Sequence, residues 1–163
     1  MTVIYDVPME VIANKNDTSL SIGSMGEFLT AYNLVKLGYP TEIVRLEKID
    51  LLTVVHNHKP LRIQVKTTKQ RYHRSNRSNA NHKAYYSYHF SVCSGSKPKY
   101  PLSKNDCDIV ALVAIDLERI FFVRTKELDG CLTKRMTPTK FYDGCTQTTW
   151  DNCLRKKPQF VEL

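Results

Sequence analysis

Between Leu51 and Asn105 this 163-residue chain has no aspartate or glutamate. Eleven of its 24 lysines and arginines fall in that interval, and the other 13 stand against all 16 acidic residues. The net charge of +8 is therefore one regional feature and not a property of the whole chain. An ordinary solvated face interleaves both signs, whereas a one-signed stretch of this kind attracts polyanions through phosphate charge and counterion release. Other absences narrow the class further. No apolar run approaches the roughly 20 residues needed to span a bilayer, so no membrane partner is expected. Met1 to Glu10 carries Asp6 and Glu10 and lacks an apolar stretch, so a secretory leader is not expected and an intracellular, cytoplasmic location is. The five cysteines include no C-x-x-C pair, which suits reduced thiols better than a disulfide framework. There is no internal repeat or low-complexity segment, and the length fits one domain with a core of its own.

The stretch that organises the rest runs from Lys48 to Thr68. In Leu61-Arg62-Ile63-Gln64-Val65-Lys66 apolar and polar residues alternate without a break, so leucine, isoleucine and valine face a core while Arg62, Gln64 and Lys66 share the opposite face. Ile49 to Val55 is also strand-like, and His56 to Pro60 is a polar connection closed by proline, so the two arms are expected to pair as an antiparallel hairpin. With the turn centred near His58, Asp50 lies opposite Lys66 and Leu52 opposite Gln64. A carboxylate, a second oxygen ligand and a lysine at one strand end suit phosphodiester hydrolysis. The carboxylate holds a hard cation such as magnesium, which needs few protein ligands. The lysine orients water and offsets charge building on the phosphorus.

A helix precedes this hairpin. Ile22, Met25, Leu29, Tyr32 and Val35 form a helical stripe expected to face the core, with Ser19 or Ser21 as cap and Gly38 as stop. Thr41 to Leu46 reads as a first strand. Lys69 to Lys83 has no apolar periodicity and reads as a basic loop, with Lys69, Arg71, Arg74, Arg77 and Lys83 as candidate nucleic-acid contacts. Ala84 to Val92 returns as an aromatic strand with Tyr86, Tyr88 and Phe90 on one, core-facing side. Ser94 to Asn105 is a second basic loop, adding Lys97, Lys99 and Lys104 as phosphate contacts. Cys107 to Ile115 is a near-continuous apolar run, the mark of a strand buried on both faces. Asp116 to Glu118 turns into a further strand at Arg119 to Val123, and Thr125 is placed to cap a short helix. The expected divisions are an N-terminal arm over 1–20, a core over 21–130, and a C-terminal appendage over 131–163 whose fold the pattern does not assign.

At Asp50 and Gln64-Val65-Lys66 the sequence resembles the PD-(D/E)XK nuclease superfamily, in a Q-x-K variant. Ile49 stands where the superfamily has proline and Gln64 where it has an acid. Gly26-Glu27 resembles the glycine-glutamate helix that accompanies that variant. The likeness is strongest to small intron-encoded homing endonucleases and more distant to archaeal Holliday junction resolvases, and covers roughly 21 to 128. It implies an α/β fold with a restriction-endonuclease-like core, a mixed central sheet flanked by helices. It further implies a DNA endonuclease dependent on Mg2+, with Mn2+ able to substitute, that leaves 5′-phosphate and 3′-hydroxyl ends. Glu27, Asp50, Gln64 and Lys66 are then the catalytic set, and Glu27, Asp50 and Val65 the metal positions. Double-stranded DNA is the implied partner, cut site-specifically by a homodimer or homotetramer. Junction resolution is one alternative, and a non-catalytic DNA-binding protein that keeps the fold is another.

Overall fold

A computed structural model describes residues 18–74, 85–128 and 130–155, with only the backbone described at His73, Arg74 and Tyr85. The chain opens with helix α1 (Ser19–Lys36), then β1 (Thr41–Leu46), β2 (Ile49–Thr53), β3 (Leu61–Thr68), β4 (Tyr72–Arg74), β5 (Tyr85–Ser91), β6 (Cys93–Ser94) and β7 (Tyr100–Pro101). It continues with β8 (Ile109–Ala114), β9 (Arg119–Arg124), β10 (Thr133–Met136) and helix α2 (Cys145–Leu154), with short 3-10 turns between. The central sheet is mixed, in the order β1-β2-β3-β8-β9. β3 and β8 run parallel, and the other neighbours are antiparallel.

The alternation of apolar residues explains the layers. β8 is buried at every position, and its two faces feed two cores. Ile109, Ala111 and Val113 join Leu34 of α1 and Trp150 of α2, so both helices cover one face of the sheet. Val110, Leu112 and Ala114 join Tyr88 and Phe90 of β5 and Met136 of β10, so a smaller sheet of order β10-β5-β4 covers the other. The fold is thus a mixed α/β sandwich with a restriction-endonuclease-like central sheet. The segment from 131 onward supplies β10 and α2. Trp150 is fully buried, with its ring 5.0 Å from Phe122 and 5.3 Å from Tyr39.

Several expectations are corrected. The α1 stripe is turned: Met25, Tyr32 and Val35 are exposed, and the buried positions are Gly26, Thr30 and Leu34. Gly26 is where the helix meets β3, since a Cβ there would overlap Thr67 Oγ1. The Thr30 hydroxyl turns back onto the Gly26 carbonyl at 2.7 Å, so a polar side chain is tolerated against the sheet. Thr18, and not Ser19 or Ser21, caps the helix by accepting from the Ser21 N–H. Part of the first basic loop is strand, because Tyr72–Arg74 pairs with Tyr85–Ser87 of β5. Tyr86 is exposed, unlike Tyr88 and Phe90, and Arg71 stacks over its ring at 4.5 Å. Thr125 lies within the 3-10 turn Thr125–Leu128, its hydroxyl against Cys107 Sγ, and does not cap it.

Candidate active site

β2 pairs with β3 as Leu51↔Ile63, Leu52↔Arg62 and Thr53↔Leu61. That register is shifted by two residues from the one expected, because the turn centres on Asn57, which takes a left-handed φ of 63°. An even shift leaves every side chain on its original face, so Asp50 still shares a face with Gln64 and Lys66. It does change the nearest partner, from Lys66 to Gln64.

Among the described residues the paired partners of β3 beyond Ile63 lie on β8 alone, so one edge of its C-terminal half has no strand partner there. Asp50 occupies that gap. Its Oδ2 accepts the Val65 N–H at 2.6 Å and the Gln64 Nε2 at 2.5 Å. Both bonds fall on one oxygen, and Oδ1 has no hydrogen bond among the described residues. Because the Gln64 amide turns its nitrogen to Asp50, its carbonyl oxygen is not used in that bond. Burial pushes the Asp50 carboxyl above the usual carboxylate range; the Val65 N–H opposes this, the charge of Glu27 adds to it, and Lys66 and Arg45 oppose it more weakly.

Lys66 donates from Nζ to the Cys93 carbonyl at 3.1 Å, which moors the ammonium between β3 and the segment following β5. Thr68 likewise donates to the His89 carbonyl at 2.6 Å. Glu27, Asp50, Gln64, Val65, Lys66 and Lys69 all line one open cleft of about 470 Å³ beside the N-terminal half of α1. Glu27 reaches that cleft although Phe28, its neighbour on the helix, faces solvent.

Arg45 is the residue the sequence pattern did not reveal. It sits in an irregularity of the β1–β2 ladder between Ile43 and Leu46 with φ 48°, and bulges of this kind re-aim side chains. Its Nε donates to Glu27 Oε2 at 2.9 Å and its guanidinium lies 5.9 Å from the Phe28 ring. The Glu27 carboxylate is thereby engaged by a cation instead of facing Asp50 unopposed. In the sequence Arg45 reads as one more outward residue of a strand, because a left-handed backbone at a non-glycine leaves no compositional trace.

Among the described residues no group of three or more His, Cys, Asp or Glu is arranged to hold a metal. The donor set is instead one carboxylate, one amide oxygen and a nearby glutamate, which fits a hydrated magnesium ion and does not fit a zinc cage. Of the candidate nucleic-acid contacts, Lys97, Lys99 and Lys104 are exposed in the second basic loop, and Arg71 is exposed at the start of β4. Arg74 is placed by backbone only, and Arg77 and Lys83 lie outside the described residues. Arg62 bonds both oxygens of Asp108 and the carbonyls of Lys104 and Asn105, so it fastens the second basic loop to β3 and is not part of the cleft. All five cysteines are free thiols. Among the described residues no helix is long and apolar enough to cross a membrane.

No protein-family model and no curated protein matches the chain. Among solved structures it is similar to a bacterial homing endonuclease, I-Ssp6803I, with a TM-score of 0.55 and 14% sequence identity over 88% of this chain and 86% of that one. That likeness, over most of both chains, establishes a shared restriction-endonuclease-like fold.

Proposed function

We propose that the chain is a magnesium-dependent DNA endonuclease. The observation that carries this reading is the meeting of Asp50, Gln64 and Lys66 at one end of β3, inside an open cleft and within a stretch of chain, residues 51–105, that carries eleven basic residues and no acidic one. The fold shared with a homing endonuclease is consistent with it. Asp50 Oδ1 and the Gln64 carbonyl oxygen are the atoms that would hold Mg2+, with the Val65 carbonyl and Glu27 as further ligands. When bound, the ion polarises a phosphate oxygen and lowers the pKa of water beside it. Gln64 and the Val65 N–H keep Asp50 in one orientation, so little reorganisation is required on binding. Lys66 orients the attacking water and offsets charge on the phosphorane-like transition state. Lys69, Arg71, Lys97, Lys99 and Lys104, with Arg74, Arg77 and Lys83, hold the phosphate backbone. The products are 5′-phosphate and 3′-hydroxyl ends, and cutting both strands of a long site calls for a homodimer or homotetramer.

Two observations favour a second reading, a DNA-binding protein that does not cut: an amide replaces the second acid, and Glu27 is engaged by Arg45. Wild type and Lys66→Ala incubated with supercoiled plasmid, genomic DNA and a four-way junction, with magnesium, manganese or chelator, separate the readings. Metal-dependent cutting by wild type, reduced on the order of 10²-fold or more in Lys66→Ala, is expected. Selective cutting of the junction points to a resolvase. Binding by both proteins without cutting of any substrate leaves the non-catalytic reading.

Gln64→Glu tests the amide directly. A second carboxylate against Asp50 is expected to lower the melting temperature in chelator and to tighten Mn2+ binding by calorimetry on the order of tenfold, since affinity follows ligand charge. Unchanged affinity would place Gln64 outside the ion's coordination.

A further inference from the structure

The small sheet has a second, open face. Backbone pairing aligns Tyr72 with Ser87, His89 with Arg135 and Ser91 with Thr133. Side chains alternate across a strand, so these six lie on the side opposite Tyr88, Phe90 and Met136, which are buried in the core. Tyr72, Ser91, Thr133 and Arg135 are exposed, and Ser87 and His89 are half-buried. None of the three strands contains an acidic residue. The face is also ordered: Ser87 Oγ lies 2.8 Å from His89 Nε2, and the Tyr72 ring lies 5.3 Å from the His89 ring.

Its width is informative. β5 is paired with β4 over residues 85–87 and with β10 over residues 88–91, so the staggered sheet is two hydrogen-bonded strands wide at each level. The B-DNA major groove admits a two-stranded β-ribbon. This surface is also continuous with the cleft, since β4 follows the end of β3 by three residues and Thr68 bonds the His89 carbonyl.

We propose that the open face of β4, β5 and β10 enters the major groove of duplex DNA and reads base edges, with Arg135 as the donor fork for guanine. Arg135 presents two parallel donors suited to the guanine O6 and N7 acceptors. His89, Ser87 and Tyr72 form a preorganised contact beside it. This inference rests on the reading of the chain as a protein that acts on duplex DNA, and it adds the surface that would choose where the cut falls.

The test uses the full chain carrying Lys66→Ala, so that DNA stays intact, and a randomised duplex library from which bound sequences are recovered. Arg135→Ala, Arg135→Lys and Tyr72→Ala are then made in that background, with circular dichroism confirming the fold. A preferred sequence containing guanine is expected. Arg135→Ala should weaken binding to that sequence roughly tenfold to hundredfold while leaving unrelated duplexes nearly unaffected, and lysine, lacking the fork, should not restore it. Equal weakening on all duplexes would make Arg135 a phosphate contact and overturn the proposal. So would selection of no sequence, preference for structured RNA, or an unchanged preference in both Arg135→Ala and Tyr72→Ala. The selected sequence is then given to the wild-type chain with Mg2+ or Mn2+: a sequence that is selected but that the wild type leaves uncut would refute the nuclease reading and leave this one standing.

Discussion

Asp50→Asn is expected to abolish metal-dependent cleavage, on the order of 10³-fold or more, while raising the melting temperature of the metal-free protein at neutral pH. The two effects share one cause. Asp50 is half-buried, and its carboxyl is pushed up first by desolvation and then by the charge of Glu27, against the Val65 N–H. A carboxyl whose pKa is raised on folding binds its proton more tightly in the folded state, so its ionisation removes stability as pH climbs from the unfolded value through the folded one. Asparagine removes the charge, and its carbonyl can still accept from the Val65 N–H and the Gln64 amide. A divalent cation does the opposite service for the native aspartate by compensating its charge. Added Mn2+ should therefore raise the wild-type melting temperature at neutral pH, do so less as pH falls and Asp50 protonates, and leave Asp50→Asn unmoved. Thermal melts with and without Mn2+ across that pH range are the check; a variant less stable than wild type in chelator would overturn the desolvation argument, and one that still responds to Mn2+ would remove Asp50 from the metal site.

Gly26→Ala carries the second large effect, on stability and activity together. A Cβ at Gly26 would overlap Thr67 Oγ1 and stand 3.0 Å from its Cβ, so the Thr67 side chain must give way or α1 must move from β3. Forced overpacking of this kind costs about 1–3 kcal/mol and sometimes more. Glu27 moves with the helix, and a misplacement near 1 Å is enough to cost on the order of 10²-fold in rate. Thr67 Oγ1 is itself buried without a hydrogen-bond partner among the described residues, so Thr67→Ala by itself should cost little. Combined with Gly26→Ala, it should restore part of both stability and rate by removing the nearest atom. Urea unfolding midpoints and initial cleavage rates for the two single variants and the double variant are the measurement. A Gly26→Ala protein with wild-type midpoint and rate would mean that the helix is not seated on Thr67.

The hairpin and the common face of Asp50, Gln64 and Lys66 were legible in the sequence because a period of two in Leu61 to Lys66 dictates which residues share a face, and because an error of two residues in register leaves that face intact. β8 was legible for a related reason: a strand buried on both sides has no polar alternation to misread. The α1 face was not legible. Close approach to β3 requires small side chains, so the buried positions are Gly26 and Thr30 while Met25, Tyr32 and Val35 remain exposed. Hydropathy pointed to a face rotated away from it, from which Leu29 still packs against the core.

Local pattern determined by itself the central strands, the acid-free basic region and the common face of Asp50, Gln64 and Lys66, since each depends on residues near one another in the chain or on composition; Glu27 was singled out by the family resemblance. Tertiary structure alone decided that Asp50 fills the unpaired edge of β3, that Arg45 engages Glu27, that Arg62 is a fastening and not a contact, and that β10 completes an open polar face with β4 and β5. Those are pairings between residues 15 to 50 positions apart, such as Asp50 with Val65, Arg62 with Asp108 and His89 with Arg135. Their partners are selected by packing of the two cores, whose energy is shared among many side chains and leaves no signature at any one of them.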